Sequence, residues 1–279
     1  MSKNTKVENQ VENGSDIVKS SRFSNFVFFI APAISIAVLL VLWFIGSRGN
    51  ERIFPSPITV FFKLCNIFVK PLSGSTLLGH IGISMMRVFA GLGAAIIVGV
   101  PLGTLIGWNK TVKASVGALF ECIRPIPVLA WIPLIIMWFG IGEQAKIIMI
   151  FIGALMPIVV NSYTGIKLVS SLYLDVGRMF NCTSQSQLLT KIVLPAALPT
   201  IFAGIRNATS VAWMVVLASE MLAAKAGLGF LINRGMEVFD ISLCLAGMVS
   251  IGICGAMLGL LTNLIERMIC PWSAKKKSD

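Results

Sequence analysis

The chain has 279 residues, of which 56% are hydrophobic and only 13% charged, and its mean hydropathy is +0.86. Ordinary soluble domains carry roughly 25% charged residues, so this composition excludes one. The formal net charge of +11 belongs, in so apolar a chain, to cytoplasmic membrane flanks, and no nucleic-acid partner is expected.

Residues 1–22 are polar, rich in Asn, Glu, Lys and Ser, and predict a disordered cytoplasmic tail. The charge-free stretches that follow are 23–47, 88–109, 125–142, 147–166 and 241–265. Thr200 to Ala224 adds a sixth, interrupted only by Arg206 and Glu220 toward its ends. Each approaches the roughly 20 apolar residues that carry a helix across the hydrocarbon core, and none alternates as a barrel strand would. The expected fold class is therefore all-α, a polytopic membrane protein with about six transmembrane helices.

Phe26 to Gly46 predicts the first helix. Ala31-Pro32-Ala33 has the small-x-small form of a signal-peptide cleavage site, but the apolar run continues to Ile45 and the polar leader is long, which argues against cleavage. Phe54-Pro55-Ser56-Pro57 breaks the chain, and Ile58 to Val69 reads as a short amphipathic helix in an extracytoplasmic segment, so that 23–78 forms one unit of the organisation. Gly79 to Trp108 makes the second span, in which Gly99, Gly103 and Gly107 recur every four residues and let another helix come close. Pro101, in the same turn, should kink it.

The third span opens with Arg124-Pro125-Ile126-Pro127 and reaches Phe139, with Pro133 inside, and Glu121 is expected to pair locally with Arg124. Gly140-Ile141-Gly142-Glu143 turns the chain and Ile147 to Ile166 returns it. A polar loop, 167–199, follows: Leu172 to Phe180 helical, Asn181-Cys182-Thr183 a turn, and Ser184 to Gln187 a capping box. Leu188, Leu189, Ile192 and Val193 then lie on one face of a short helix that Leu194-Pro195 should end. By residues alone this helix is either a docking element or an interfacial helix resting on lipid.

Placing both termini in the cytoplasm gives the larger share of Lys and Arg to 1–22, 108–114, 166–199 and 266–279, which favours that orientation. Residues 268–279 make a basic cytoplasmic tail. The six cysteines contain no CxxC pair and His80 is the only histidine, so neither a disulfide framework, a metal site nor a cofactor is expected.

A phosphate-binding G-x-x-x-x-G-K-[ST] loop is missing from the sequence, and the centres of most spans hold no ionisable group. No catalytic set can be built around one histidine. The chain is thus not read as an enzyme, and energy for transport would come from a partner. An ion-coupled secondary carrier and a membrane scaffold or enzyme stay open at this point.

Several passages are similar to the permease subunits of binding-protein-dependent ABC importers, in the branch for nitrate, sulfonates and taurine. They are Ser84-Met85-Met86-Arg87-Val88, Arg124-Pro125-Ile126-Pro127, Ala130-Trp131-Ile132-Pro133-Leu134, Trp138-Phe139-Gly140-Ile141-Gly142-Glu143, Leu194-Pro195-Ala196-Ala197-Leu198-Pro199, Ala218-Ser219-Glu220-Met221 and Gly227-Leu228-Gly229. The resemblance implies the ABC importer type I permease fold over 79–267, in a cell (inner) membrane. It implies a homodimer, two ATP-binding cassette ATPase subunits and an extracytoplasmic solute-binding protein as partners, and a small anionic solute.

In that family the loop carries Glu-Ala-Ala, a glycine four residues on, and a later Leu-Pro. Here Asp175-Val176-Gly177 stands for Glu-Ala-Ala and Asn181 for the glycine, and the loop is one residue longer before Pro195. The resemblance assigns ATPase coupling to Asp175, Val176, Gly177, Asn181, Leu188, Leu189, Ile192, Leu194 and Pro195. Arg87 and Glu220, toward the outer ends of their helices, are the candidate charges of a translocation path, with a structural ion pair as the other reading.

Overall fold

The computed structural model describes residues 30–274 apart from 32, 50, 52 and 183, so the expected tail at 1–22, the start of the first span and the end of the basic tail lie outside the described residues. These residues divide into two compact units, at Phe62/Lys63. In the first, α1 (Ala33–Ser47) is an apolar helix whose Trp43 Nε1 donates to Pro55 O at 3.1 Å and whose Trp43 ring lies 6.3 Å from that of Phe54. The break at Phe54 to Pro57 is thereby folded back on the end of α1. The helix α2 (Pro57–Val69) begins at the second proline of that break.

The larger unit holds the bundle. Its helices are α3 (Leu77–Trp108), α4 (Lys110–Ile123), α5 (Val128–Phe139), α6 (Glu143–Lys167), α7 (Ser171–Met179), α8 (Gln185–Leu222), α9 (Leu228–Glu237), α10 (Ile241–Ile269) and the single turn α11 (Pro271–Ala274). Four of them, α3, α6, α8 and α10, are long and apolar enough to cross a membrane, and the bent pair α4–α5 is a fifth candidate span. With α1, whose upstream part is undescribed, this accounts for about six spans.

The core lies where α3, α6 and α8 meet, around Val88, Ala95, Ile150, Ala154, Ile158, Ala208, Ala212 and Val216. Small residues set the spacing. A Cβ on Gly99 would lie 2.9 Å from Ile158 Cγ2, one on Gly103 2.5 Å from Val159 O, and one on Gly107 2.9 Å from Ile166 Cβ. The four-residue glycine repeat therefore faces α6, and the stripe begins earlier than expected, at Gly91, whose Cβ would meet Ile150. The opposite side of α6 meets α8 through Gly153, Gly165 and Gly204. Without a hydrophobic driving force between lipid-immersed helices, such close backbone approach gains dispersion contact and holds α6 at the centre.

Three expectations are corrected. Pro195 does not end its helix: α8 runs unbroken from Gln185 to Leu222, with a π-helical stretch at Leu189–Val193 immediately before Pro195. A proline ring clashes with the carbonyl four residues back, and the wider π turn makes room for it without ending the helix. At 1.5 Å per residue these 38 residues extend about 57 Å, well beyond a hydrocarbon core of about 30 Å, so the expected docking helix is the protruding end of a span. Second, the apolar stretch of the expected third span is not one helix opening at Arg124: a helix from Lys110 precedes it, and α4 and α5 are bent by 87° around Arg124 to Pro127, where two prolines remove donors and bias their predecessors away from the helix. Third, Glu121 and Arg124 form no ion pair among the described residues, although both line one cavity where α4 ends.

Candidate functional site: a buried charge cluster and a coupling loop

Arg87 projects from the middle of the first half of α3 and is 2% exposed. Its Nε and Nη2 donate to the two oxygens of Glu143 at 2.6 and 2.7 Å, and its Nη1 donates to Glu220 Oε1 at 2.7 Å and to the Ala226 carbonyl at 2.9 Å. Four of the five guanidinium N–H donors are thus engaged. The planar fork fits Glu143 in the bidentate manner that lysine cannot reproduce.

Glu220, near the end of α8, has a fully buried side chain. Ser84 Oγ donates to its two oxygens at 2.8 and 2.9 Å, and the Gly229 N–H donates to Oε2 at 2.9 Å. Ser84 Oγ in turn accepts from the Leu228 N–H at 2.9 Å. Glu220 thereby caps the first turn of α9, where unpaired backbone N–H groups and the helix dipole favour a carboxylate. Gly227, with φ of 128°, lies so close to that carboxylate that a Cβ would sit 2.6 Å from Oε1. Only glycine satisfies both the backbone conformation and the space.

His80 completes the arrangement. Its Nδ1 accepts from the Gly227 N–H at 3.1 Å, so the proton is on Nε2, which lies 3.1 Å from the Leu72 carbonyl. The ring is therefore a neutral connector, stacked on Phe230 at 5.9 Å. Lys146, 4% exposed, reaches Glu143 at 2.9 Å across one turn of α6. Arg87 and Lys146 balance Glu143 and Glu220, so the cluster carries its own counterions. Of its members only Arg87 and Glu220 are singled out by the sequence. Ser84, Glu143, Gly227 and Gly229 stand in motif passages, but their meeting depends on contacts up to 147 residues apart.

The second region is the loop between α6 and α8. Ser170 caps α7 by accepting from the Leu172 N–H at 3.3 Å, and Asp175 pairs with Arg178 at 3.0 Å on the exposed surface. At the far end the Asn181 N–H donates to Arg178 O and the Cys182 N–H to Gly177 O, both at 3.1 Å, while Asn181 has φ of 62°. This is the Schellman pattern, with asparagine in the left-handed position glycine usually takes. Gln187 Oε1 accepts from the Ser184 N–H at 3.5 Å in the capping box that starts α8.

The apolar face of 188–193 is turned inward. Leu188 and Val193 are 3% and 1% exposed, and a Cβ on Gly177 would overlap Ile192 Cδ1 and come within 3.2 Å of Leu188 Cδ2. Leu189 and Leu194 pack with Val193, Ala197, Leu174 and Trp108 in a cluster that ties α7, α8 and the ends of α3 and α6 together. Apart from Leu168, the exposed large apolar side chains of the loop are instead on α7 and its cap: Leu172, Tyr173, Val176, Met179 at 86% and Phe180 at 81%. Among the described residues no group of His, Cys, Asp and Glu can hold a metal ion.

Residues 95–274 match the family described as the inner membrane component of binding-protein-dependent transport systems. The chain belongs to that family. This permease is 32% identical over 242 residues to the taurine transport system permease protein TauC of Escherichia coli, covering 85% of this chain and 88% of that protein. It is 35% identical over 251 residues to the nitrate import permease protein NrtB of Synechocystis, covering 88% and 91%. Its fold matches a chain of the inward-facing MetNI methionine ABC transporter with a TM-score of 0.61 at 19% identity, covering 69% of this chain and 95% of that one. The permease is thus a multi-pass inner membrane subunit of an ABC importer, and in this family ATP hydrolysis and solute capture belong to separate ATPase and binding-protein subunits.

Proposed function

We propose that the permease pairs with a second copy of itself, with both termini in the cytoplasm, and passes a small oxyanion-bearing solute such as a sulfonate or nitrate. The substrates named for its relatives support the solute class. In this reading the tail 1–22 and the unit 23–78 precede a permease core at 79–267, and 167–199 is the loop on which the ATPase acts. The observation that carries the coupling assignment is the concentration of exposed apolar side chains on α7 and Phe180 at the end of a span that protrudes past the membrane core. An exposed apolar patch on a surface otherwise set in water marks a partner. The neutralised Arg87 cluster, in turn, supports a scaffold role for Arg87 and Glu220, with solute contact left to other groups.

The test is copurification of the cognate ATPase, with ATP-driven uptake of labelled taurine or nitrate into liposomes that also hold the binding protein. Phe180→Asp should abolish ATPase recruitment while the permease itself melts as wild type does. Leu188→Asp should instead lower the melting temperature, since its side chain is internal. Normal recruitment and transport by Phe180→Asp would overturn the assignment.

A further inference from the structure

At the end of the bundle that carries the coupling loop, α3, α4 and α6 line a half-open cavity of about 470 Å³, within the range of ligand pockets, about 300–1,000 Å³. Lys110, Lys113 and Arg124 stand in its wall with Tyr163, Thr164 and a single acid, Glu121. None of the three cations is ion-paired among the described residues. Here positive charge faces open volume.

Two further features shape the wall. Two lysines lie over the Tyr163 ring, with Lys113 Nζ 5.6 Å and Lys167 Nζ 5.8 Å from its centroid, within the reach of cation–π attraction. The stretch Lys113–Gly117 is π-helical, a distortion that frequently accompanies functional sites. It places Lys113 and the small residues Ala114 and Gly117 on the cavity. Ile106, Val159 and Phe120 supply an apolar floor beside the cations.

We propose that this cavity binds an anionic ligand with an oxyanion head and a short apolar body. Arg124 offers a planar fork for the oxyanion and the lysines add point charges. The same chemistry is offered by an anionic phospholipid headgroup and by a free organic sulfonate on the cytoplasmic side. The site requires neither transport nor the ATPase.

The experiment uses the full-length permease in nanodiscs. One arm titrates sodium ethanesulfonate, by calorimetry, into protein in phosphatidylcholine alone. The other counts phosphatidylglycerol retained, by native mass spectrometry, after release from mixed phosphatidylcholine–phosphatidylglycerol discs. Lys113→Gln combined with Arg124→Gln should weaken whichever ligand binds by about tenfold or more, as expected for loss of charge-assisted hydrogen bonds. Lys110→Gln alone should weaken it less, and Tyr163→Phe, which keeps the ring, should bind normally. Loss in the first arm identifies a free anion, and loss confined to the second identifies the lipid. Lys191→Gln, on α8 outside the cavity, should leave both arms unchanged. Equal loss in Lys191→Gln, or no difference between wild type and the double variant in either arm, would overturn the proposal.

Discussion

Glu220→Gln isolates the charge of the buried cluster with almost no change in volume. In the wild type the carboxylate accepts from Ser84, Arg87 and Gly229. A glutamine keeps one oxygen acceptor but presents an NH2 group to partners that are themselves donors. The charged bond to Arg87 contributes about 1.5–3 kcal/mol, and each donor left unsatisfied costs about 1–3 kcal/mol. Glu143 remains on Arg87 and limits the loss, so the expected destabilisation is about 3–5 kcal/mol, as for other buried pairs broken by removing one partner. Unfolding in mixed dodecyl maltoside and SDS micelles, followed by far-UV circular dichroism, measures it. Arg87→Gln and the double variant close a thermodynamic cycle, in which the double should cost less than the sum by about 0.5–3 kcal/mol. Wild-type stability of Glu220→Gln, or strict additivity in the cycle, would refute the cluster as an energetic unit.

Gly103→Ala should destabilise by about 1–3 kcal/mol, because its Cβ would press on the α6 backbone at Val159 O. Gly93→Ala on the same helix, with nothing within 4 Å of its Cβ, should be neutral or stabilising by up to about 1 kcal/mol. The two are compared in the same micellar titration, and equal effects would remove the close-approach account. Asn181→Gly should hold or slightly raise stability, whereas Asn181→Val should cost about 1–2 kcal/mol at its positive φ. Hydrogen exchange at the Cys182 amide, bonded to Gly177 O, reports the turn directly.

What could be read from the sequence was local. The charge-free runs became helices, Asn181 took the backbone conformation its glycine-like place suggested, and the glycines at 99, 103 and 107 met a neighbouring helix. Pro195 was misleading because proline's penalty depends on the turn before it, and a π turn at Leu189–Val193 cannot be seen in a hydrophobic pattern. The inward face of 188–193 was legible as apolar, but not its partner: Gly177, a bare gap in α7, is what Ile192 and Leu188 fill. The polar cluster was hidden for a different reason. Arg87 sits on α3, Glu143 begins α6, Glu220 lies near the end of α8, and Gly229 lies in the first turn of α9, so no window of sequence contains it. Its trace was a set of short motifs with no stated reason to be related.

The continuity of α8 links those two regions in one body. From Gln185 in the coupling loop to Glu220 in the cluster the helix rises about 53 Å and is interrupted only by the π stretch, Pro195 and Pro199. All three lie in its first half. A displacement of the loop therefore has two physical outcomes. It is absorbed where the ladder of hydrogen bonds is already weakened, between 189 and 199, or it moves the rest of α8 as a rigid rod. In the second case Glu220 moves with it, and because Glu220 holds Ser84 and Arg87 of α3 and the first turn of α9, those elements move too. The buried cluster thus fastens the Glu220 end of α8, Gly177 of α7 receives Ile192 and Leu188 at the loop end, and the π stretch and the two prolines are where the helix can give.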